Sequence, residues 1–147
     1  MATDGQDSSW DTAATHRSID LSETECWTLL ASRGTGRVAY AEDGRVVVFP
    51  VNYVVHDKAV YFRTSPDGAF GRGPDYRSAS FQIDEHDAQR MAGWSVLLSG
   101  KAEAVSDSEL LTALWGRRMA EPWGGGQRDS FIGIEPTLVT GRRVGMR

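Results

Sequence analysis

Cysteine is almost absent from this sequence, because Cys26 is the single one among 147 residues. No intrachain disulfide can form, so the chain needs no oxidising compartment. No apolar run approaches the roughly 20 residues that a membrane-spanning helix needs. Residues 1–17 also lack the basic start and apolar middle of a signal peptide. We therefore expect a cytoplasmic protein that has no membrane partner.

Basic residues are outnumbered by acidic ones, 16 against 20, and histidine occurs only three times. The net charge of -4 and the pI of about 5.3 give no general attraction to nucleic acid, so any bound anion must meet a local basic site. His16, His56 and His86 are scattered without the spacing of metal ligands, and the sequence predicts no metal site. No P-loop and no Gly-x-Ser-x-Gly motif is present.

What remains is the composition of an ordinary globular domain, with 40% hydrophobic and 24% charged residues. Residues 1–17 are rich in small polar and acidic residues and are predicted to form a disordered tail. Residues 18–147 then form one domain, a length that suits a single core. Within it, the segments Ser22–Glu25 and Ser106–Glu109 read as capping boxes, and each predicts the start of a helix.

Short segments rich in β-branched residues, separated by turn residues, predict the strands. They cover residues 37–41, 45–55, 59–64, 78–84, 93–105, 130–135 and 137–144. Pro50 cannot donate to a strand ladder, so it predicts a bulge or a break at a sheet edge. Short turns between consecutive strands exclude parallel winding. The pattern predicts a mainly β fold, a six-stranded antiparallel barrel with accessory helices at its ends.

One constellation carries chemistry. Arg63, Thr64 and Ser65 run directly from a predicted strand into a glycine-rich loop at residues 65–77. Guanidinium, hydroxyl and loop amide donors can together cradle a phosphate group, and Arg72 and Arg77 could add charge. An ordinary charge on the barrel rim is the better explanation of Arg63 at this point.

Aromatic side chains give a second hint. Trp94 opens a long predicted strand, and Trp123 lies in a glycine-rich segment. Both positions suit core packing, and both suit contact with a planar cofactor.

Taken in order along the chain, several short motifs are similar to those of a known family. They are Gly36-Arg37-Val38-Ala39, Phe49-Pro50-Val51-Asn52-Tyr53, Phe62-Arg63-Thr64-Ser65-Pro66, Phe81-Gln82-Ile83-Asp84, Gly93-Trp94-Ser95-Val96, Gly100-Lys101-Ala102, Pro122-Trp123 and Val139-Thr140-Gly141-Arg142-Arg143. Over residues 18–145 the chain resembles the pyridoxamine 5'-phosphate oxidase-like flavin-binding split barrels, in particular the short actinobacterial type.

The resemblance implies a homodimer with two flavin mononucleotide (FMN) sites shared across its interface. It implies that one strand lies along the isoalloxazine ring, through Val48, Phe49, Pro50, Val51 and Asn52. It implies that Arg63, Thr64 and Ser65 face the phosphate, with Arg72 as a further contact. Trp94 or Trp123 would close the site, from the same subunit or from its partner.

The sequence departs from the family pattern directly after Ser65. Relatives carry a phosphate-binding lysine where this chain has Ala69, and Asp67 adds a negative charge nearby. FMN, a deazaflavin or no flavin at all are therefore open alternatives.

Three functions follow from these alternatives. The first is an FMN- or deazaflavin-dependent oxidoreductase that acts on a small organic substrate. The second is a flavin-free barrel whose pocket binds or converts a small molecule without redox chemistry. The third is a haem- or tetrapyrrole-handling protein. No catalytic residue is assigned, and the acid–base candidates are Tyr53, Asp84, Glu85 and His86.

Overall fold

The computed structural model describes residues 16–65, 68, 70, 76–117 and 130–146. The strands are β1 (His16–Asp20), β2 (Thr35–Glu42), β3 (Arg45–His56), β4 (Ala59–Thr64), β5 (Tyr76–Asp87), β6 (Ala92–Ala104) and β7 (Ser130–Met146), and the helices are α1 (Glu23–Ala31) and α2 (Ser108–Trp115). The fold is mainly β, as predicted. Within these ranges, no helix is long and apolar enough to cross a membrane.

Six of the strands close into a ring. The order is β7-β4-β3-β2-β5-β6, and a further β6–β7 pairing completes the circle with every pairing antiparallel. This confirms the predicted six-stranded barrel. β1 adds a seventh strand along the end of β7. It includes residues 16 and 17 of the predicted tail, whereas residues 1–15 lie outside the described part of the chain.

Two tight hairpin turns set the register of the first strands. Asp43 and Gly44 join β2 to β3, and Asp57 and Lys58 join β3 to β4. All four residues have positive φ angles, between 50° and 76°. Such backbone twist matches the right-handed twist of paired strands, so two-residue turns of this kind favour hairpins. Both turns were predicted.

β7 differs from its prediction, because it runs as one strand through Pro136 instead of as two segments. The register with β6 shifts where Ser99 is opposite Leu138 and Gly100 is opposite Pro136, so Thr137 is the extra residue of a bulge beside the proline. A Cβ atom on Gly100 would lie 2.5 Å from the carbonyl oxygen of Glu135, so the backbones approach too closely there for a side chain.

Pro50 lies at a sheet edge, which is one of the two predicted alternatives, and the β2–β3 pairing has no bulge there. The β2–β3 register is continuous from Thr35 opposite Asn52 to Glu42 opposite Arg45. β4, however, pairs with β3 only along residues 53–56. Pro50 therefore interrupts no ladder on the β4 side, because no described strand pairs with β3 there.

Helix α1 covers one end of the barrel. Its capping box is confirmed, since the Glu25 amide donates to Ser22 Oγ over 3.1 Å and the Ser22 amide donates to Glu25 Oε1 over 3.0 Å. These hydrogen bonds hold the pKa of Glu25 below its usual range. Cys26 and Leu30 are fully buried beneath the helix, which agrees with Cys26 as a small apolar core residue.

Helix α2 packs on the outer wall. Its N-cap is Asp107, whose carboxylate accepts from the Leu110 amide over 2.9 Å; Ser106, the predicted cap, does not have this role. Leu114 packs with Val54 and Phe131, so the helix covers the outer faces of β3 and β7.

We predict that Tyr53→Phe lowers the free energy of unfolding by about 1–3 kcal/mol, because a buried carbonyl loses the shorter of its two hydrogen bonds. Tyr53 is 3% exposed, and its hydroxyl donates over 2.6 Å to the carbonyl of Leu30 in α1. Urea denaturation measures the difference. Tyr76→Phe is the matched control, since Tyr76 lies half exposed on β5. Equal effects of the two substitutions would contradict the assigned role of this hydrogen bond.

Candidate functional site

The barrel splits where β3 and β4 diverge. Their last register pair on this side is Tyr53 opposite Phe62, and one further step would place Asn52 opposite Arg63. Beyond that point residues 45–52 of β3 pair only with β2 among the described strands. Alternate residues of such an edge turn their backbone groups outward, so a ligand with donors and acceptors along one side can pair with it.

We call the residues at this divergence the fork, which consists of Asn52, Arg63, Thr64, Ser65 and Gly68. All of them lie at the end of β3–β4 pairing or in the turn that follows β4. The fork therefore joins the open β3 edge to the predicted phosphate-binding segment.

Phe70 fills the split from inside the barrel. Its ring centroid lies 5.0 Å from that of Tyr40, 5.6 Å from that of Phe62 and 6.4 Å from that of Phe49. The chain thus folds back after β4 and places an aromatic ring between the diverging strands. This keeps the interior apolar where the ladder is open.

Arg63 points to the outer face of β4 and is half-buried there. Its guanidinium carbon lies 4.8 Å from the ring centroid of Trp115 in α2. Trp115 in turn meets Phe131 edge to face, with centroids 5.0 Å apart. A cation stacked on an aromatic ring is held in place over the face of that ring.

Thr64 and Arg63 are neighbours on one strand and point to opposite faces, since Thr64 is buried at 6% exposure. The turn beyond them is tight, with the Gly68 amide donating to the Ser65 carbonyl over 2.9 Å. A Cβ atom on Gly68 would lie 3.2 Å from that carbonyl oxygen and 3.3 Å from Thr64 Oγ1. Thr64 thus packs beneath the turn, whereas Ser65 lies partly exposed in it.

The predicted ring-binding strand presents two faces. Val48 and Pro50 are exposed on the outside, whereas Phe49 and Val51 point inward. Asn52 is buried at 9% exposure, and its side-chain oxygen accepts from Thr35 Oγ1 over 2.9 Å. A flat ligand along this edge would meet backbone groups and the outward side chains. Phe49 and Val51, which point inward, pack in the core instead.

Trp94 lies apart from the fork in its own subunit. It is on β6, which is separated from β3 by β2 and β5 in the ring. The guanidinium of Arg33 lies 5.5 Å from its ring centroid, and Arg33 also forms an ion pair with Glu85. The predicted contact between Trp94 and a ligand at the fork is therefore not made within one chain.

Arg72 and Trp123 lie outside the described residues, as do Asp67 and Ala69. Their predicted roles stay predictions from the sequence.

The acid–base candidates do not meet at one place. The Tyr53 hydroxyl is bound inside the core, and burial raises its pKa above the ordinary range. Asp84 accepts from Gln82 over 3.0 Å on the outer face, while Glu85 and His86 line another surface near Trp94. Among the residues that the structure describes, no group of three His, Cys, Asp or Glu side chains is placed to hold a metal ion.

Two residues of the site were missed by sequence reasoning. Trp115 belongs to a helix 52 positions after Arg63, and no local pattern links the two. Phe70 could have been noticed in the sequence, because it is an aromatic residue inside a polar, glycine-rich segment.

A split barrel with an arginine at its fork agrees with the family that the motifs indicated. A profile of the pyridoxamine 5'-phosphate oxidase family matches residues 22–143, most of the chain. The chain belongs to this family. Its resemblance to the FMN-binding split barrels, read from the motifs, is thereby confirmed.

Similar proteins come from Mycobacterium and other bacteria. The uncharacterized protein Rv0080 of Mycobacterium tuberculosis is 32% identical over 133 residues, which is 86% of this chain and 85% of that protein. The structure of the FAD binding protein from Mycobacterium smegmatis is 33% identical, with a TM-score of 0.72 over 87% of this chain and 99% of that chain. A FAD-binding protein from Mesorhizobium loti is 25% identical, with a TM-score of 0.65 over 88% of this chain and 98% of that chain.

We predict a measurable coupling between Arg63 and Trp115. A double-mutant cycle of Arg63→Ala and Trp115→Leu should give about 0.5–1 kcal/mol, the usual strength of a partly exposed cation–aromatic contact. Trp115→Phe keeps an aromatic face and should retain part of this coupling. Chemical denaturation of the four proteins measures the cycle, and additive effects would show that the stacking adds nothing to stability.

Proposed function

We propose that this protein binds a flavin at the fork and works as an oxidoreductase on a small organic substrate. The observation that carries the proposal is the open edge of β3 at residues 45–52, which ends beside the guanidinium of Arg63. One side of an isoalloxazine ring carries alternating hydrogen-bond donors and acceptors. A free strand edge offers the complementary backbone groups.

The phosphate end of the cofactor would meet Arg63 and Ser65. A guanidinium gives two parallel donors to phosphate oxygens, and the stacking on Trp115 limits the entropy lost on binding. The Ser65 hydroxyl, partly exposed in the turn, adds a neutral donor. The flavin supplies hydride transfer when it is bound, and the protein orients the ring and shields it from water.

The identity of the flavin is part of the proposal. The family resemblance favours FMN, and two of the similar structures are described as FAD-binding proteins. FMN and FAD share the ring and the first phosphate, so the fork serves both. A deazaflavin has the same ring outline and is a third candidate.

We also propose a homodimer. The outer face of the barrel has small side chains in a shallow trough, which includes Ala39, Ser80 and Ser99. Val46, 74% exposed, borders the trough on β3, and Leu138, 55% exposed, lies on β7 next in sequence to a trough residue. A second copy would cover these apolar side chains, and it could bring its Trp94 or Trp123 to the flavin of the first.

A flavin-free barrel is the alternative function. Its support is Ala69 in place of the family's lysine, together with the acidic Asp67. One face of the Arg63 guanidinium is also already in contact with Trp115. The pocket would then bind a small molecule through shape and a few polar groups.

Titration with FMN and FAD, followed by quenching of flavin fluorescence, tests the flavin proposal. Arg63→Ala should weaken binding roughly tenfold to hundredfold, because a charge-assisted hydrogen bond to phosphate contributes about 1.5–3 kcal/mol. Arg63→Lys should have an affinity between those of the wild type and Arg63→Ala, since lysine keeps the charge without the paired donors. Arg90→Ala is the control, because the Arg90 side chain is 84% exposed. This variant should bind both flavins as the wild type does. Failure of both flavins to bind would favour the flavin-free alternative.

Sedimentation velocity tests the dimer. The wild type should sediment as a dimer at micromolar concentration, and Val46→Arg with Leu138→Arg should give a folded monomer, because charges on a buried apolar surface are costly. Met91→Lys places a charge on an equally exposed apolar residue of the β5–β6 hairpin and should leave the dimer intact. A monomeric wild type would contradict the proposal.

A further inference from the structure

A second concave surface lies on β1, β5, β6 and β7, none of which carries a residue of the fork. It is a cleft of about 490 Å³, within the range of roughly 300–1,000 Å³ that is usual for ligand sites. We call it the Trp94 cleft. Its lining includes Arg17, Ile19, Trp94, Arg143 and Gly145.

The strand registers place four of the lining side chains in one row across the cleft. Glu85 is opposite Trp94, Trp94 is opposite Arg143, and Arg143 is opposite Ile19. Residues that are directly opposite in antiparallel strands share a face of the sheet. The indole ring is thus flanked by the guanidinium of Arg143 on the β7 side and by the carboxylate of Glu85 on the β5 side.

A second row lies nearer the strand ends. Asp87 is opposite Ala92, and Gly145 is opposite Arg17. A Cβ atom on Gly145 would meet only the Cβ of Ala92, at 3.7 Å, so the two residues share this face and leave space above it. Small residues in the middle of the row and an arginine at its end form an open slot.

The two acidic residues of the cleft already have partners. Glu85 forms an ion pair with Arg33, and Asp87 lies 3.6 Å from Arg90. The charge of Glu85 is therefore balanced by an arginine outside the cleft, and that of Asp87 by Arg90, which lines the cleft.

Arg17 and Arg143, unlike the two acidic residues, have no ion-pair partner among the described residues. Arg143 does contribute, after the Ser22 hydrogen bonds, to the lowered pKa of Glu25, so that carboxylate lies within its electrostatic reach. The two guanidinium groups nevertheless leave a net positive wall beside an apolar floor of Trp94 and the half-exposed Ile19.

We propose that the Trp94 cleft binds a small planar aromatic molecule that carries a carboxylate. The ring stacks over the indole and the side chain of Ile19, and the carboxylate takes paired donors from Arg143 with Arg17 as a second cation. The site goes beyond the proposed flavin function, because it uses none of the fork residues and needs no flavin; the one residue it shares with that proposal is Trp94, which a second copy could bring to the flavin.

Titration of the full chain with 2-naphthoate, followed by two-dimensional NMR, tests this site. The amide resonances of Gly93 and Gly145 should shift in a saturable way. The neutral 2-naphthamide should bind at least about tenfold more weakly, since it lacks the charge-assisted hydrogen bonds. Equal affinities of the two compounds would overturn the proposal.

Neighbouring arginines on β7 provide a matched pair of variants. Arg143→Ala should weaken 2-naphthoate about tenfold or more. Arg142→Ala removes the same charge one residue away, from a side chain that does not line the cleft, and should leave the affinity unchanged. Equal losses from both variants would mean that general charge attraction, not a built site, holds the probe.

A cleft-filling variant covers the case in which Arg143→Ala does not fold. Gly145→Leu places a side chain into the open slot, at a residue without positive φ, and should abolish binding while the rest of the spectrum stays native. A titration with FMN separates this site from the flavin site. If FMN shifts Gly93 and Gly145 and displaces 2-naphthoate, the cleft belongs to the flavin site and the proposal is wrong.

Discussion

The divergence of β3 from β4 is the constraint on which the site depends. β3 has 12 residues and β4 has 6. In the hairpin that they form, only residues 53–56 of β3 pair with β4. β4 must also pair with β7 to close the ring, so it turns away and leaves residues 45–52 with β2 as their one neighbour among the described strands. Pro50 removes one donor from that edge and makes it a poor template for another strand. The open edge and the fork both follow from this mismatch in strand length.

Local features of the fold could be read from the sequence, because each depends on a few adjacent residues. The Ser22–Glu25 capping box, the Asp43-Gly44 turn and the antiparallel hairpins are of this kind. Features that arise from closure of the barrel could not be predicted from the sequence. The alternation of β7 is interrupted at Pro136, and only the opposite β6 backbone, with its register shift at Gly100, keeps the strand whole. Likewise, Arg63 meets Trp115 because α2 lies across the outer wall, which no spacing in the chain indicates.

The motifs that indicated the family are largely packing devices. A Cβ atom on Gly36 would lie 2.3 Å from the Phe81 ring, and one on Gly141 would lie 2.6 Å from Cys26 Sγ. These glycines let a strand pass close to the core ring and to α1. Their presence therefore supports the fold strongly and says little about chemistry, which rests on the few residues of the fork. This explains why family and barrel follow from the sequence more readily than cofactor and substrate.

The same strands serve two purposes at different points along their length. Where β5, β6 and β7 surround the core, their inward side chains are apolar and buried, as at Ile83, Val96 and Leu98. Further along, past α1, the same face carries Trp94 and Arg143 and opens to solvent. β1 widens this extension by pairing with the last residues of β7. Where a strand extends beyond the barrel, its backbone groups still need hydrogen-bond partners, and its side chains contact solvent or a ligand. At the Trp94 cleft an apolar floor, a paired backbone and the positive charges of Arg17 and Arg143 lie together.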